Sequence, residues 1–302
     1  MCQLSLFDSA KNTKDDLRNF ISPEVETIAH ETLWGITGMS QKKITELYKE
    51  NILPSKALEF RKRVSDDVDK LYDKVQKYLE LKMGLFSICI NGDFQYPEEL
   101  RSAAYPLELF YYKGFLDFVK TRSVSVVGSR SCSPEGLRRT KKITELLVEN
   151  DFTIVSGLAK GVDTVALNTA IGLKGKVIGV IGTPIDEYYP KENKDLQNFI
   201  AKEHLLISQV PFYRYKKEPF SAHRYNFPRR NETMSALSKA TVIVEASERS
   251  GTLVQARAAI EQGRKLFILN SCFENSKITW PQYYEKKGAI RVREAKDILN
   301  NL

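Results

Sequence analysis

At 302 residues and 42% apolar content the chain can bury a sizeable core, enough for two domains or one large α/β domain with an appendage. No apolar run is long enough to cross a bilayer, and the start, MCQLSLFDSAKNTKDD, lacks the basic-then-apolar pattern of a secretory signal, so a soluble cytoplasmic protein with no membrane partner is expected. The net charge of +8 suits a polyanionic partner but is weak support for one by itself, and the four scattered cysteines (Cys2, Cys89, Cys132, Cys272) and three histidines argue against a disulfide framework or a zinc site.

Residues 1–82 read as a helical domain and 83–302 as a second, α/β domain. Within the first, Leu33 to Ser40 followed by Lys42, Lys43, Ile44, Leu47 and Tyr48 predicts a helical hairpin with a tight glycine turn, a motif that packs helices or contacts DNA phosphates through backbone N–H groups. Val64, Val68, Leu71, Val75, Tyr78 and Leu79 recur at close to helical spacing. Between 85 and 120 prolines, turn glycines and aromatic strands replace that pattern.

From there apolar runs of strand length alternate with helices. Strands are predicted at Ser123–Val127, Phe152–Val155, Lys176–Ile181, Leu205–Ser208, Thr241–Glu245 and Lys265–Leu269. Helices are predicted to start near Pro134, Val162, Asn193, Arg229 and Thr252. Continuous apolar strands separated by helices imply a doubly wound, mostly parallel α/β sheet covered on both faces.

In such a sheet every strand-to-helix turn falls on one edge, and here four turns carry chemistry suited to an anion. They are Gly128-Ser129-Arg130-Ser131 after the first strand, Ser156-Gly157-Leu158-Ala159-Lys160-Gly161 after the second, Phe227-Pro228-Arg229-Arg230-Asn231 opening a helix, and Ser250-Gly251-Thr252 opening another. Glycines permit close approach, hydroxyls and helix N-termini donate, and the cations supply charge. No G-x-x-x-x-G-K-[ST], G-x-G-x-x-G or G-x-S-x-G occurs, and Asp163, Asp186, Glu187 and Glu245 form no evident acid/base pair, so no catalytic residue, metal or cofactor is assigned. Asp163 is expected to organise its own turn. Between 182 and 228 aromatics interleave with cations (Tyr188, Tyr189, Lys191; Tyr213, Arg214, Tyr215, Lys216; Arg224, Tyr225), the pairing that single-stranded nucleic acid requires. Phe227 is expected to tuck into the domain, and Tyr213, Arg214 and Lys216 to be more open.

These motifs, with Asp93-Phe94-Gln95-Tyr96-Pro97-Glu98-Glu99-Leu100 and Phe110 to Gly114 before them and Tyr189-Pro190-Lys191-Glu192-Asn193 and Gly263-Arg264 among them, resemble in order and spacing the DprA/Smf family of bacterial DNA-processing proteins. The resemblance spans about residues 85–270, and the helical start is similar to the small helical domain (SAM or helix-hairpin-like) of that family. It implies an extended Rossmann-like fold and a non-catalytic, dimeric protein that protects single-stranded DNA and helps load a RecA-type recombinase in transformation or recombination. It places Gly128, Ser129, Arg130, Ser156, Gly157, Lys160, Lys191, Asn193, Arg229, Arg230, Asn231, Ser250, Gly251 and Thr252 on the phosphate-binding edge.

The chain departs from the family pattern at Glu232, where a further arginine is common and a carboxylate should weaken phosphate contact, and at Leu167, Gln209 and Asn270-Ser271. No winged-helix segment is expected after Leu302. A rival from another class is a nucleotide sensor or hydrolase of the LOG type, whose Pro-Gly-Gly-x-Gly-Thr-x-x-Glu motif is matched at Gly251-Thr252 but has Gln255 in place of the glutamate, which cannot act as a general base.

Overall fold

A computed structural model describes residues 21–48, 53–63, 67–103 and 105–302. Among the described residues four helices come first: α1 Pro23–Gly35, α2 Gln41–Leu47, α3 Pro54–Lys62 and α4 Asp67–Leu79. α1 begins where Ser22 accepts a hydrogen bond from the Val25 N–H and Pro23 fills the first helical position. Ser40 caps α2 in the same way, accepting from the Lys43 N–H, and Gly38 at φ +74° makes the turn between the two, so the expected hairpin forms. In α4 the apolar row is in place, with Val68, Val75 and Leu79 buried; Val64 and Cys2 lie outside the described residues.

The helices hold a small core of their own around Leu33, Trp34, Ile44 and Leu58. They also join the main core, where Ile28, Val75 and Leu79 pack with Tyr111 and Phe212. One buried carboxylate ties the two together. Glu31 in α1 accepts from the Tyr111 hydroxyl at 2.7 Å and from the backbone N–H groups of Phe212 at 2.8 Å and Tyr213 at 2.9 Å.

Among the described residues nine strands form one sheet, β1 Ser87–Ile90, β2 Leu109–Gly114, β3 Ser123–Val127, β4 Thr153–Ser156, β5 Val177–Ile181, β6 Leu205–Ser208, β7 Ala240–Ile243, β8 Lys265–Leu269 and β9 Ile290–Val292, in the order β1-β2-β6-β5-β4-β3-β7-β8-β9. All six strands predicted from 123 onward are present within two residues. Those six pair in parallel because both faces are covered: their residues are buried almost without exception. The aromatic stretch before them becomes β1 and β2, antiparallel to each other, with β2 antiparallel to β6. Phe110 and Tyr111 show its two-sided burial, each belonging to a different core cluster on opposite faces. The three-residue β9 on the far edge carries too short an apolar pattern to be read from sequence.

The helices that alternate with these strands are α5 Pro134–Glu149, α6 Val162–Gly172, α7 Lys194–Glu203, α10 Asn226–Leu237 and α11 Thr252–Glu261, and Gly263 at φ +66° ends the last of them. α10 starts three residues before the expected Arg229, because Pro228 falls in its first turn, where a missing N–H costs nothing. The stretch expected as an open aromatic loop contains two short helices, α8 Phe212–Lys217 and α9 Phe220–His223. Tyr213 is buried rather than open: Glu31 draws the start of α8 against α1, and the Tyr213 ring meets Tyr78 at a centroid distance of 5.6 Å. After β8 the chain closes with α12 Asn270–Phe273, α13 Trp280–Glu285 and α14 Lys296–Asn300. Among the described residues no helix is long and apolar enough to cross a membrane.

Candidate nucleic-acid interface

β3 has β4 on one side and β7 on the other, and the strand order runs outward in both directions from this point. Beyond the carboxyl ends of β3 and β7, at this switch point, a cleft of about 830 Å³ opens. Its walls are the turns flagged in the sequence. Gly128, Ser129, Arg130 and Ser131 follow β3, Asn231 comes from α10, and Ser250, Gly251 and Thr252 lead into α11.

These turns are stitched to one another. The Ser129 N–H donates to the Glu245 carbonyl at 2.7 Å, Asn231 Nδ2 donates to the Gly251 carbonyl at 3.0 Å, and the Thr252 N–H donates to Ser250 Oγ at 3.2 Å. Gly128 is glycine for packing, since a Cβ there would sit 2.7 Å from Val162 Cγ2 and 2.9 Å from the Glu245 carbonyl. Gly251 is different: nothing lies within 4 Å of a Cβ built on it, and its exposed backbone leaves room for a ligand at the start of α11.

Arg130 divides this cleft from a second lobe of about 760 Å³, lined by Lys160, Tyr189, Lys191, Glu192 and Phe227. Its exposed guanidinium lies 6.0 Å from the centroid of the Tyr189 ring and 5.8 Å from that of Phe227, and the two rings are 5.1 Å apart. Lys160 forms an exposed ion pair with Glu192 at 2.6 Å, and this hydrogen bond holds the Glu192 carboxyl below the usual carboxylate range. Lys191 is exposed beside it. Phe227 packs against Gly182, as expected of it, yet its ring also borders both lobes.

Several expected contact residues do other work. Ser156 is fully buried and its hydroxyl donates to the Val126 carbonyl at 2.7 Å. Asn193 Nδ2 donates to the Leu158 carbonyl at 2.7 Å and to Thr164 Oγ1 at 2.8 Å, bracing the turn rather than facing a ligand. Arg230 borders both lobes but is buried, with Nη1 donating to the Val180 carbonyl at 2.9 Å; burial pushes its pKa down to about 10 against the pull of Asp163. Asp163, itself buried and raised by desolvation, accepts from the Ala159 N–H at 3.3 Å and so organises its turn, as expected. Arg229, one residue earlier on α10, turns away from the cleft altogether toward Trp34. Glu232 also lies elsewhere, lining a small cavity with Arg229, Gln209 and Thr233, so its charge does not oppose a ligand in the cleft.

Gly157 owes its identity to Arg230 and not to a ligand, because a Cβ there would overlap the Arg230 guanidinium. Replacing Gly157 with alanine is expected to destabilise the fold by about 1–3 kcal/mol, as overpacking does, while Gly251→Ala leaves stability within about 1 kcal/mol. Thermal melting of the two variants checks the contrast; a Gly157→Ala protein as stable as the parent contradicts it.

Residues 87–302 match the family described as DNA recombination-mediator protein A. The chain belongs to that family. It is 38% identical over 204 residues to DNA processing protein DprA of Streptococcus pneumoniae, covering 68% of this chain and 70% of that one. It is 38% identical over 213 residues to Protein Smf of Escherichia coli, covering 70% of this chain and 55% of the relative. Among solved structures, DprA from Streptococcus pneumoniae superposes with a TM-score of 0.76 at 30% identity over 93% of this chain and 98% of that one. DNA processing protein A from Helicobacter pylori, solved for its single-stranded DNA binding mode, gives 0.61 at 27% identity over 72% and 94%.

For a DprA/Smf family member the remaining side chains at the cleft fall into place as structural. Glu245 holds Ser133, the cap of α5, accepting from its N–H at 3.2 Å and its hydroxyl at 2.7 Å. Burial and the Glu245 charge push the neighbouring Cys132 thiol up to about 12, which keeps it protonated. Gln255, at the position where the LOG motif has its glutamate, is fully buried and donates from Nε2 to Thr241 Oγ1 at 3.2 Å, so it has neither the charge nor the exposure of a general base. Among the described residues no group of three or more His, Cys, Asp or Glu is placed to hold a metal ion. Arg139, Ser247 and Asn275 also line the cleft and were not expected to. Arg139 lies six residues along α5 from its cap Ser133, and only the placement of that helix over the switch point brings it in.

Proposed function

We propose that this chain binds single-stranded DNA across the two lobes beside Arg130, holding backbone phosphates at the Ser129–Ser131 and Ser250–Thr252 turns and stacking bases on Tyr189 and Phe227. The observation that carries this is the Arg130 guanidinium standing between a polar cleft of helix N-termini and a lobe walled by two aromatic rings. Phosphates need donors and charge, unpaired bases need flat apolar faces, and a duplex offers only the first. DNA processing protein A from Helicobacter pylori has a single-stranded DNA binding mode, which supports the same reading here. Lys160 and Lys191 supply further charge at the rim of the second lobe.

In this reading the protein is a mediator: it protects exposed single strands, acts as a homodimer and hands the strand to a RecA-type recombinase. Residues 1–82 and 83–302 are read as two units, a division that the contacts of Glu31 with Tyr111, Phe212 and Tyr213 would bridge. Fluorescence anisotropy of a labelled oligothymidylate across a salt series tests the binding step, with duplex and mononucleotide as competitors. Affinity should fall steeply with salt, and neither competitor should displace the strand at equal phosphate concentration. Displacement by mononucleotide alone would overturn the reading in favour of a nucleotide sensor.

A further inference from the structure

α10 carries two consecutive arginines that face different cavities. Arg230 enters the wall of the cleft, whereas Arg229 points into a separate cavity of about 150 Å³ between α8, α10 and the end of α1, where Trp34, Arg214, Tyr215, Glu218 and Tyr225 surround it. Arg214 is already engaged there: Nε donates to Glu218 Oε1 at 2.5 Å, Nη1 donates to the Met39 carbonyl at 2.9 Å, and the guanidinium lies 5.0 Å from the Trp34 ring. Arg229 lies 6.0 Å from the same ring, only partly covered, and among the described residues its guanidinium donates no hydrogen bond. A guanidinium carries five donors in a fork that matches two phosphate oxygens, and none of them is spent here. Burial and the like charge of Arg214 lower its pKa, with Glu218 and Glu232 offsetting them in part, and a phosphate in the cavity would favour the charged guanidinium further.

The cavity adjoins the second lobe, with Tyr215 in the walls of both. The surface between them exposes Phe220 at 83% and Tyr225 at 59%, with the Arg224 guanidinium 5.1 Å from the Tyr225 ring. Large exposed rings beside cations form a path along which bases stack while phosphates are neutralised. Trp34 itself is buried and acts as the wall behind Arg229, not as a stacking platform.

We propose that Arg229 holds a phosphate of the same DNA strand in this cavity, so that the strand leaves the second lobe over Phe220 and Tyr225 and ends its contact against the helical part of the chain. The subsite rests on the single-stranded DNA reading above and extends it from one domain to both.

A length ladder of oligothymidylates, measured by anisotropy with the full chain, tests this. Arg229→Gln keeps an uncharged polar side chain at the site and removes the guanidinium charge. It should weaken binding roughly three- to ten-fold for the longer oligonucleotides, leave the shortest ones unchanged, and lower the salt slope for the longer ones by about 0.7. Tyr225→Ala, at an exposed position that does not endanger folding, should show the same dependence on length. Equal affinity of parent and Arg229→Gln proteins at every length overturns the proposal, as does an equal loss at every length, which would mean that Arg229 acts on the cleft through the fold. Arg130→Ala separates the two readings: unchanged binding of the shortest oligonucleotides in that variant would defeat the cleft reading, whereas the length-dependent loss in Arg229→Gln reports this subsite alone.

Discussion

Replacing Arg130 and Lys160 together by alanine is expected to weaken single-stranded DNA binding by about 10- to 100-fold at moderate salt and to flatten its salt dependence by about 1.4 units of slope, two phosphate contacts' worth. Both side chains are exposed and neither holds the core together, so the fold should be unaffected. The two contributions should differ. Arg130 has both rings beside it and no carboxylate partner in an ion pair among the described residues, whereas Lys160 must first leave Glu192. Arg130→Ala should therefore account for most of the loss, Lys160→Ala for less, and Glu192→Gln should tighten binding by freeing Lys160. Anisotropy titrations at several salt concentrations check all four proteins. A folded double variant with the parent's affinity and slope would place the site elsewhere.

Truncating Glu31 is expected to have the largest effect on stability. Its carboxylate accepts from three buried donors on two different elements, and alanine would leave the Tyr111 hydroxyl and the Phe212 and Tyr213 N–H groups unsatisfied at a cost of about 3–5 kcal/mol. For a chain of this size that corresponds to a fall in melting temperature of roughly 10 °C. The loss should also depend on pH. Burial pushes the Glu31 pKa up to about 7 from its ordinary 4.5, although its three donors pull the other way. The folded state therefore favours the protonated carboxyl, and its contribution is fully present below about pH 4.5 and is lost as pH rises through about 7. The stability gap between the parent and Glu31→Ala proteins should narrow as pH is raised across that window. A gap that widens instead would show that the three donors dominate and hold the carboxylate ionised.

Much of the architecture was legible because the physics that sets it is local. A strand buried on both faces needs an unbroken apolar run, and Ser123–Val127, Leu205–Ser208 and Lys265–Leu269 have their predicted limits for that reason. Helix starts at Pro134, Val162 and Thr252 were fixed by caps, a proline and glycine turns that act within four residues. The motif order that resembles the DprA/Smf family was likewise a property of the chain alone, and the family match from residue 87 to 302 agrees with it.

The site was legible at the level of turns and not of side chains. Sequence placed four turns on one edge of the sheet, because parallel strands bring all such turns together. It could not tell which of Arg130, Arg229 and Arg230, three arginines on turns at one edge of the sheet, would face a ligand, since a helix turns about 100° per residue and only the neighbours decide what each direction meets. Arg230 meets the backbone of β5 and the bare face of Gly157, Arg229 meets Trp34 from a helix far away in sequence, and only Arg130 stands free between the lobes. The same holds for Ser156 and Asn193, whose hydroxyl and amide are taken by carbonyls that lie close only once the sheet has formed. Periodicity and turn chemistry, which act over a few residues, were determined by the sequence; which polar groups remain unpaired at the surface was decided by the tertiary structure, because long-range packing satisfies most of them.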